Sequence, residues 1–148
     1  MTHNVEGHDR GLDSTQKLIN LFQPDFFLRQ EDWLFAFEHF KLSQINNEYT
    51  GTGMSVDFDN PTFISRNQKA KWGLDFLFKH SMNSNVTPLP EFSNHRVQVI
   101  KLSLEIPIII VNVYLPSSSL PESEFKESLS LLSTIISSYA ADAAILLA

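Results

Sequence analysis

Three polar side chains stand at or near the ends of short apolar segments, where each could bring chemistry to the edge of a sheet. Glu31 closely follows the apolar residues 26–28, and Tyr114 lies at the end of a β-branched run that begins at Ile108. Asn4 lies near the end of a short N-terminal segment. Ligands of α/β proteins tend to bind where buried strands end, and a carboxylate there can bind a hard cation such as Mg²⁺.

Each of these residues also has an ordinary structural explanation. Glu31 can be a surface acid that a nearby helix N-terminus stabilises, and Asn4 can be a turn or edge residue. Tyr114 can end a core strand with its hydroxyl bonded to a backbone group. Residue types and spacing leave both kinds of explanation open.

Composition limits the class of protein more firmly than it identifies a function. The 148 residues are 43% hydrophobic and 19% charged, which is typical of one globular domain with a real core. The formal net charge of -6 excludes a broad basic surface for nucleic acid, although a local basic patch with a bound metal would suffice. The absence of cysteine excludes disulfides, thiolate zinc sites and cysteine nucleophiles.

The apolar pattern predicts several strands. The run from Ile108 to Val113 has no polar face, so it predicts a strand that is covered on both sides and ends near the polar pair Asn112 and Tyr114. Residues 96–104 alternate and should pair with it in antiparallel fashion through a turn at residues 105–107. Further strands are predicted at residues 2–5, 26–28, 54–58, 73–78 and 143–148.

Three helices are predicted between these strands. Asp13 and Gln16 form a capping-box pattern for the first, and Asp32 can cap a short second helix. The third begins near Pro121. Its apolar residues Phe125, Leu129, Leu132 and Ile136 form one helical stripe.

The order of five segments resembles the endonuclease/exonuclease/phosphatase superfamily, and especially the endonuclease domain of non-LTR retrotransposons. The segments are Thr2-His3-Asn4-Val5-Glu6-Gly7, Pro24-Asp25, Gln30-Glu31-Asp32-Trp33-Leu34, Trp72-Gly73-Leu74, and Arg96 through Asn112-Val113-Tyr114-Leu115-Pro116. Two residues depart from the pattern of that family. Arg29 stands where an apolar residue is usual before the Gln-Glu pair, and Asp75 stands where a small or apolar residue is usual.

The resemblance implies an α/β fold: a mixed, mostly antiparallel β-sheet with flanking helices, forming the N-terminal half of a four-layered, DNase I-like sandwich. A Gly-Asp-Phe-Asn-type motif would come next in the family, so residues 1–148 are expected to be a partial domain that is truncated at its C-terminus. One sheet face would then lack its cover, which implies self-association through that face.

The resemblance also implies roles for the three polar residues. Asn4, Glu31 and Tyr114 become the catalytic residues, with Mg²⁺ held mainly by Glu31 with Asn4 nearby. Tyr114 would orient a phosphate of DNA, the partner of the intact domain. The expected function is a fragment of a Mg²⁺-dependent endonuclease, inactive alone. The alternatives are a non-catalytic binding remnant and a fragment of a small-molecule or lipid phosphoesterase.

A polar N-terminus and the lack of a long apolar segment predict neither a signal peptide nor a membrane span. The chain is therefore expected to be intracellular, in the nucleus or cytoplasm by resemblance.

Overall fold

The computed structural model describes residues 1–55, 57, 72–115 and 122–148. Helices and strands are interspersed along these residues, as in an α/β protein. The strands are β1 (Thr2–Asn4), β2 (Phe26–Gln30), β3 (Tyr49–Met54), β4 (Leu74–Lys79), β5 (Val86–Pro88), β6 (Val97–Leu102), β7 (Ile108–Val113) and β8 (Ala144–Leu147). The helices are α1 (His8–Phe22), α2 (Glu122–Tyr139), a long 3₁₀ helix (Ala36–Gln44) and two short 3₁₀ helices (His80–Met82 and Pro90–Phe92). In these described ranges no helix is long and apolar enough to cross a bilayer.

The strands form two four-stranded sheets, with the orders β1-β2-β4-β3 and β5-β6-β7-β8. The pairs β1–β2 and β7–β8 are parallel, and the other neighbours are antiparallel. The predicted antiparallel pairing of residues 96–104 with the central strand is thus confirmed as β6–β7.

The two sheets pack face to face, and helices cover their outer faces. Between the sheets lies an apolar cluster of Leu28, Phe76, Phe78, Ile100 and Ile110. On the outer face of the first sheet, α1 and the 3₁₀ helix contribute Ile19 and Leu42 to a second cluster. On the outer face of the second sheet, α2 contributes the fully buried Ile135 to a third. These four layers confirm the expected mixed α/β sandwich.

The expectation of a single sheet with one uncovered face is wrong for the described residues. The chain supplies both sheets, and each covers the inner face of the other. Exposed apolar side chains occur at Leu146 and Leu147 of β8 and on one flank of α2, and also at the end of α1 and on the long 3₁₀ helix.

Helix α1 begins five residues before the predicted N-cap, directly after Gly7. Asp13 and Gln16 therefore lie inside the helix, where Asp13 pairs with Lys17 and the Gln16 amide donates to the backbone oxygen of Ile45. The first two turns were missed because the buried stripe of α1 is built largely from small and polar residues. Its members are His8, Gly11, Thr15 and Ile19.

Two other predicted boundaries are wrong. The strand predicted at residues 54–58 lies earlier, at Tyr49–Met54, and Phe58 is outside the described residues. Asp32 does not cap the following helix, because its carboxylate accepts the Leu34 N–H and the helix begins only at Ala36. At the start of this helix, the Ala36 N–H instead donates a hydrogen bond to the carboxylate of Asp57, at 3.0 Å.

The two residues that depart from the family pattern are bonded to each other. Arg29 of β2 and Asp75 of β4 are register partners, and both side chains are 0% exposed. The guanidinium donates from Nε at 2.9 Å and from Nη2 at 2.7 Å to the two carboxylate oxygens. Nη2 also donates to Nδ1 of His8, whose pKa is lowered by burial and by the charge of Arg29. The neutral imidazole therefore accepts this hydrogen bond.

Candidate active site at the ends of the central strands

The ends of three strands place the three predicted site residues at one edge of the sandwich. Asn4 is the last residue of β1 and is paired with Gln30, so the parallel strands β1 and β2 end side by side. The turn after β1 is tied to the turn after β2, because the Gly7 N–H donates to the Glu31 carbonyl oxygen at 2.7 Å. Tyr114 follows β7 in the other sheet.

Tyr114 and Glu31 join the two sheets through their side chains. The tyrosine hydroxyl donates a hydrogen bond to the Glu31 carboxylate, and this bond, together with burial and the carboxylate charge, raises the pKa of Tyr114 to about 12. The Tyr114 N–H is bonded to the carbonyl oxygen of Arg96 at 2.9 Å, which fixes the residue to β6. The structure therefore brings together two of the residues that the sequence predicted.

Side-chain amides connect the two sheets beside this contact. The Gln30 amide donates to the Val113 carbonyl oxygen at 2.9 Å. The Asn112 amide donates to the Arg29 carbonyl oxygen at 2.9 Å. Asn112 is thus a buried link between the sheets, whereas its neighbour Tyr114 reaches the edge. These directional bonds set the relative position of β2 and β7, and with it the meeting of Glu31 and Tyr114.

The backbone around the site is strained. Glu6, Glu31, Trp33 and Trp72 all have positive φ angles, between 47° and 70°. Hydrogen bonds connect the segment that holds Glu31 and Trp33 to the segment that holds Trp72. The Glu31 N–H donates to the Gly73 carbonyl oxygen and the Trp33 N–H donates to the Trp72 carbonyl oxygen, each at 2.9 Å. Non-glycine residues rarely adopt such angles, and strained residues cluster at functional sites.

Gly73 completes this strained junction. Its φ is +90°, and a Cβ there would lie 2.4 Å from a carboxylate oxygen of Asp32. The pKa of Asp32 is raised well above its usual range by burial and by the neighbouring Asp75 carboxylate. The glycine in the Trp72-Gly73-Leu74 segment is therefore required by the close approach of a buried carboxyl group.

Arg96 is a site residue to which the sequence assigned no role. Its side chain is 3% exposed, its Nη2 donates to Glu124 at 2.7 Å, and its guanidinium lies 4.7 Å from the ring centre of Trp72. Nε and Nη1 have no hydrogen-bond partner among the residues that the structure describes. Arg96 also lines a cavity of about 260 Å³ with Trp72 and Glu124. Its place at the start of a matched segment was the only signal in the sequence.

The metal-ligand set predicted from the sequence is small. Asn4 is exposed, and its Oδ1 accepts the Glu6 N–H at 3.1 Å, which leaves it one further lone pair. Among the residues that the structure describes, no group of three or more His, Asp or Glu side chains could hold a metal ion. Carboxylate and amide oxygens such as those of Glu31 and Asn4 suit Mg²⁺, which is often bound by one or two protein carboxylates and keeps several waters.

We expect the Tyr114–Glu31 hydrogen bond to control the titration of Tyr114 in the metal-free protein. Its pKa of about 12 lies above the ordinary value of about 10. The bond therefore stabilises the fold fully below pH about 10, and this contribution is lost as the pH rises towards 12. In Glu31→Gln the pKa should fall towards 10, measured by NMR of the tyrosine ring carbons. A Tyr114 pKa that is the same in both proteins would exclude the bond.

Comparison with known proteins identifies the architecture. No protein-family model and no curated protein matches the sequence. Solved structures do match. The chain superimposes on an AP endonuclease from Leishmania major with a TM-score of 0.65 and 17% identity, covering 93% of this chain and 46% of that one. It superimposes on the 3'-5' exonuclease NExo from Neisseria meningitidis with a TM-score of 0.64 and 17% identity, covering 99% of this chain and 54% of that one.

The fold is therefore the DNase I-like fold of these matched structures. The particular group suggested by the sequence is also among the matches. The endonuclease domain of TRAS1, a telomere-specific non-LTR retrotransposon, superimposes with a TM-score of 0.59 and 12% identity, covering 87% of this chain and 50% of that one. At these identities the likeness concerns the fold. The chain spans about half the length of the structures that it matches.

Proposed function

We propose that residues 1–148 form part of a Mg²⁺-dependent endonuclease domain of the retrotransposon type, which cleaves a DNA phosphodiester, and that Asn4, Glu31 and Tyr114 are its site residues. The observation that carries this proposal is that β1, β2 and β7 end at one edge, where Asn4 is paired with Gln30 and the neighbouring Glu31 carboxylate raises the pKa of the Tyr114 hydroxyl. Glu31, the proposed cation ligand, and Tyr114, a hydroxyl donor, thus lie together at an edge where the backbone is strained and held by hydrogen bonds.

The roles of the residues follow from their chemistry. Glu31 would hold Mg²⁺ with the Asn4 amide oxygen, and the bound ion would stabilise negative charge on the phosphate. Tyr114 stays protonated at neutral pH, since its pKa is about 12, so its hydroxyl can donate to a phosphate oxygen. The buried Arg96, held in place by Glu124 and Trp72, would add positive charge near Tyr114.

We further propose that the chain is a partial domain that does not cut DNA alone. The matched structures are about twice as long, which supports this view. Hydrolysis needs a base positioned to activate water, and none of the three matched residues is assigned that role. Catalytic groups that act as a unit lose most of their effect when one is missing.

DNA is the proposed partner of the complete domain, in the nucleus or cytoplasm by resemblance. Two of the matched structures contain DNA: NExo is bound to a product DNA hairpin, and D. rerio TDP2 is complexed with a single-strand DNA product. With a formal net charge of -6, this chain should bind DNA phosphates only through a local site, and therefore only with a divalent cation present.

Binding of a fluorescent DNA hairpin, followed by anisotropy with and without Mg²⁺, tests this function. We expect weak binding that requires Mg²⁺ and is lost in Glu31→Gln. The matched control is Glu105→Gln, which removes the same charge at the opposite, exposed end of β7. Equal binding by the wild type and Glu31→Gln, or no binding with Mg²⁺, would contradict the proposed site.

A plasmid-nicking assay on the same proteins tests the second part of the proposal. We expect no nicking by residues 1–148 with Mg²⁺. Nicking that disappears in Glu31→Gln and persists in Glu105→Gln would support the site but overturn the partial-domain proposal, because this chain would then hold a complete active site.

A further inference from the structure

A cavity of about 440 Å³ lies beside Glu31, where the segment after β1 meets the segment after β2. Its lining residues fall in two stretches, residues 6–10 and 32–41. These stretches are bonded to each other, because the His8 N–H donates to the Asp32 carbonyl oxygen at 2.6 Å. The cavity walls are therefore held together within this chain, and the volume is in the range of roughly 300–1,000 Å³ that is typical of small-molecule sites.

Two partly exposed aromatic side chains line this cavity, Trp33 and Phe35. Trp33 packs at the start of α1, where a Cβ at Gly7 would lie 2.8 Å from its ring and the guanidinium carbon of Arg10 lies 5.9 Å from its ring centre. Phe35 is stacked on Phe37, with ring centres 5.6 Å apart and planes at 7°. Phe37 is 63% exposed, so this aromatic surface continues to the outside. Aromatic rings and guanidinium planes are the surfaces on which nucleobases stack.

The charges of the lining favour an uncharged ligand over a phosphate. Leaving aside Asp32 and His8, whose pKa values burial shifts towards the neutral form, the lining has three acidic and two basic side chains. They are Glu6, Asp9, Glu38, Arg10 and Lys41. A phosphate in the cavity would face these carboxylates. A nucleobase is uncharged, and its edge carries both donors and acceptors, so it can bond to side chains of either sign.

The cavity is close enough to Glu31 for one DNA strand to reach both. Trp33 comes two residues after Glu31, and two residues span at most about 7 Å. A strand whose phosphate is held at Glu31 can therefore place a base of an adjacent nucleotide against Trp33. In a duplex that base must first leave its stack, so unpaired or single-stranded DNA should bind most readily.

We propose that this cavity binds one unstacked nucleobase of the DNA strand, with the base stacked on Trp33 and its edge bonded to polar side chains of the lining. The inference deepens the proposed function and rests on it for the strand, because a phosphate held at Glu31 is what brings the base to the cavity. Stacking surfaces accept every base, so the cavity selects unpaired over paired DNA without a strong sequence preference.

A free nucleoside tests the cavity without a phosphate, a metal or Glu31. The chain has two tryptophans, Trp33 and Trp72, so their indole N–H signals distinguish the cavity from the rest of the edge. We expect deoxyadenosine, titrated without Mg²⁺ and followed by ¹⁵N NMR, to shift the Trp33 signal saturably and to leave Trp72 unchanged, whereas deoxyribose should shift neither. Equal shifts of the two indoles, or no shift at Trp33 up to the solubility limit of the nucleoside, would overturn the nucleobase site.

A pair of oligomers tests the same contact on a DNA strand. With Mg²⁺ present, single-stranded oligothymidine should bind about tenfold more tightly than an abasic oligomer of the same length. Trp33→Leu should abolish this preference. Arg10→Gln, at an exposed position of α1, should reduce it with unchanged circular dichroism, which keeps the test valid if Trp33→Leu does not fold. The matched control is Phe22→Leu, which removes an exposed ring at the other end of α1 and should keep the full preference.

The outcomes separate this inference from the proposed function. Binding that requires Mg²⁺ and Glu31 but is equal for the two oligomers would overturn the nucleobase site and leave the proposed function standing. A saturable shift of Trp33 by deoxyadenosine, without any Mg²⁺-dependent binding of oligomers, would support the nucleobase site and contradict the proposed function. A preference for oligothymidine that Trp33→Leu and Arg10→Gln both retain would show that the base binds elsewhere, and would overturn the inference.

Discussion

Asp75→Ala is expected to lower the free energy of unfolding by about 3–5 kcal/mol. The Arg29 guanidinium would remain fully buried with its bidentate partner gone, and His8, which accepts from Arg29 as a neutral imidazole, offers no negative charge. Small domains are stable by only about 5–15 kcal/mol, so this loss would remove a large part of the total. Urea unfolding followed by circular dichroism, at one fixed protein concentration, measures it.

Two controls separate a broken buried pair from a general loss of charge. Asp25→Ala breaks the more exposed pair with Lys79, at 2.9 Å, and should change stability by less than about 1 kcal/mol. The double variant Arg29→Met with Asp75→Leu removes both charges and fills the space, so it should recover most of the stability lost by Asp75→Ala. Equal losses for Asp75→Ala and Asp25→Ala would contradict the burial of Arg29.

The Arg29–Asp75 pair also shows that contacts between distant strands could not be predicted from this sequence. Each residue on its own departs from the family pattern, and the sequence gives no means of seeing that they lie opposite each other on β2 and β4. A buried ion pair depends on register between strands that are 46 residues apart. Residue patterns predict individual strands well, as for β6 and β7, because alternation and β-branching are local properties.

The same distinction explains the site. Asn4, Glu31 and Tyr114 could be named because they lie in matched segments, and the structure brings Glu31 and Tyr114 together. Arg96 could not be assigned a role, because its burial against Trp72 and Glu124 depends on packing between distant segments. The positive φ angles around Glu31 likewise have no local sequence signal, since glutamate and tryptophan are not residues that favour them.

The second sheet was missed for a related reason. The sequence correctly predicted strands at β6, β7 and β8, although the expected burial of β8 is wrong because most of its side chains are exposed. Hydrophobicity does not say whether a strand joins an existing sheet or starts another. The side-chain amides of Gln30, Gln98 and Asn112 each donate to a backbone oxygen of the other sheet and so connect the two sheets. In the sequence they look like ordinary polar positions of strands.

Mg²⁺ binding at Glu31 is the property on which the proposed function depends most directly. We expect weak binding, because Glu31 and Asn4 supply few of the oxygen ligands that an octahedral ion requires. The ion should compete with the Tyr114 hydroxyl for the Glu31 carboxylate, so that the backbone amide signals of Asn4, Glu31 and Tyr114 shift together. Glu31→Gln should lose these shifts completely.

The decisive measurement is a Mg²⁺ titration of residues 1–148 followed by ¹⁵N NMR, with Glu31→Gln and Glu105→Gln in parallel. The proposed site predicts saturable shifts at Asn4, Glu31 and Tyr114 in the wild type and in Glu105→Gln, and none in Glu31→Gln. Shifts of the same size in the wild type and Glu31→Gln, or no shift near Glu31 at any Mg²⁺ concentration, would contradict the assignment of this sheet edge as a metal-dependent phosphodiesterase site.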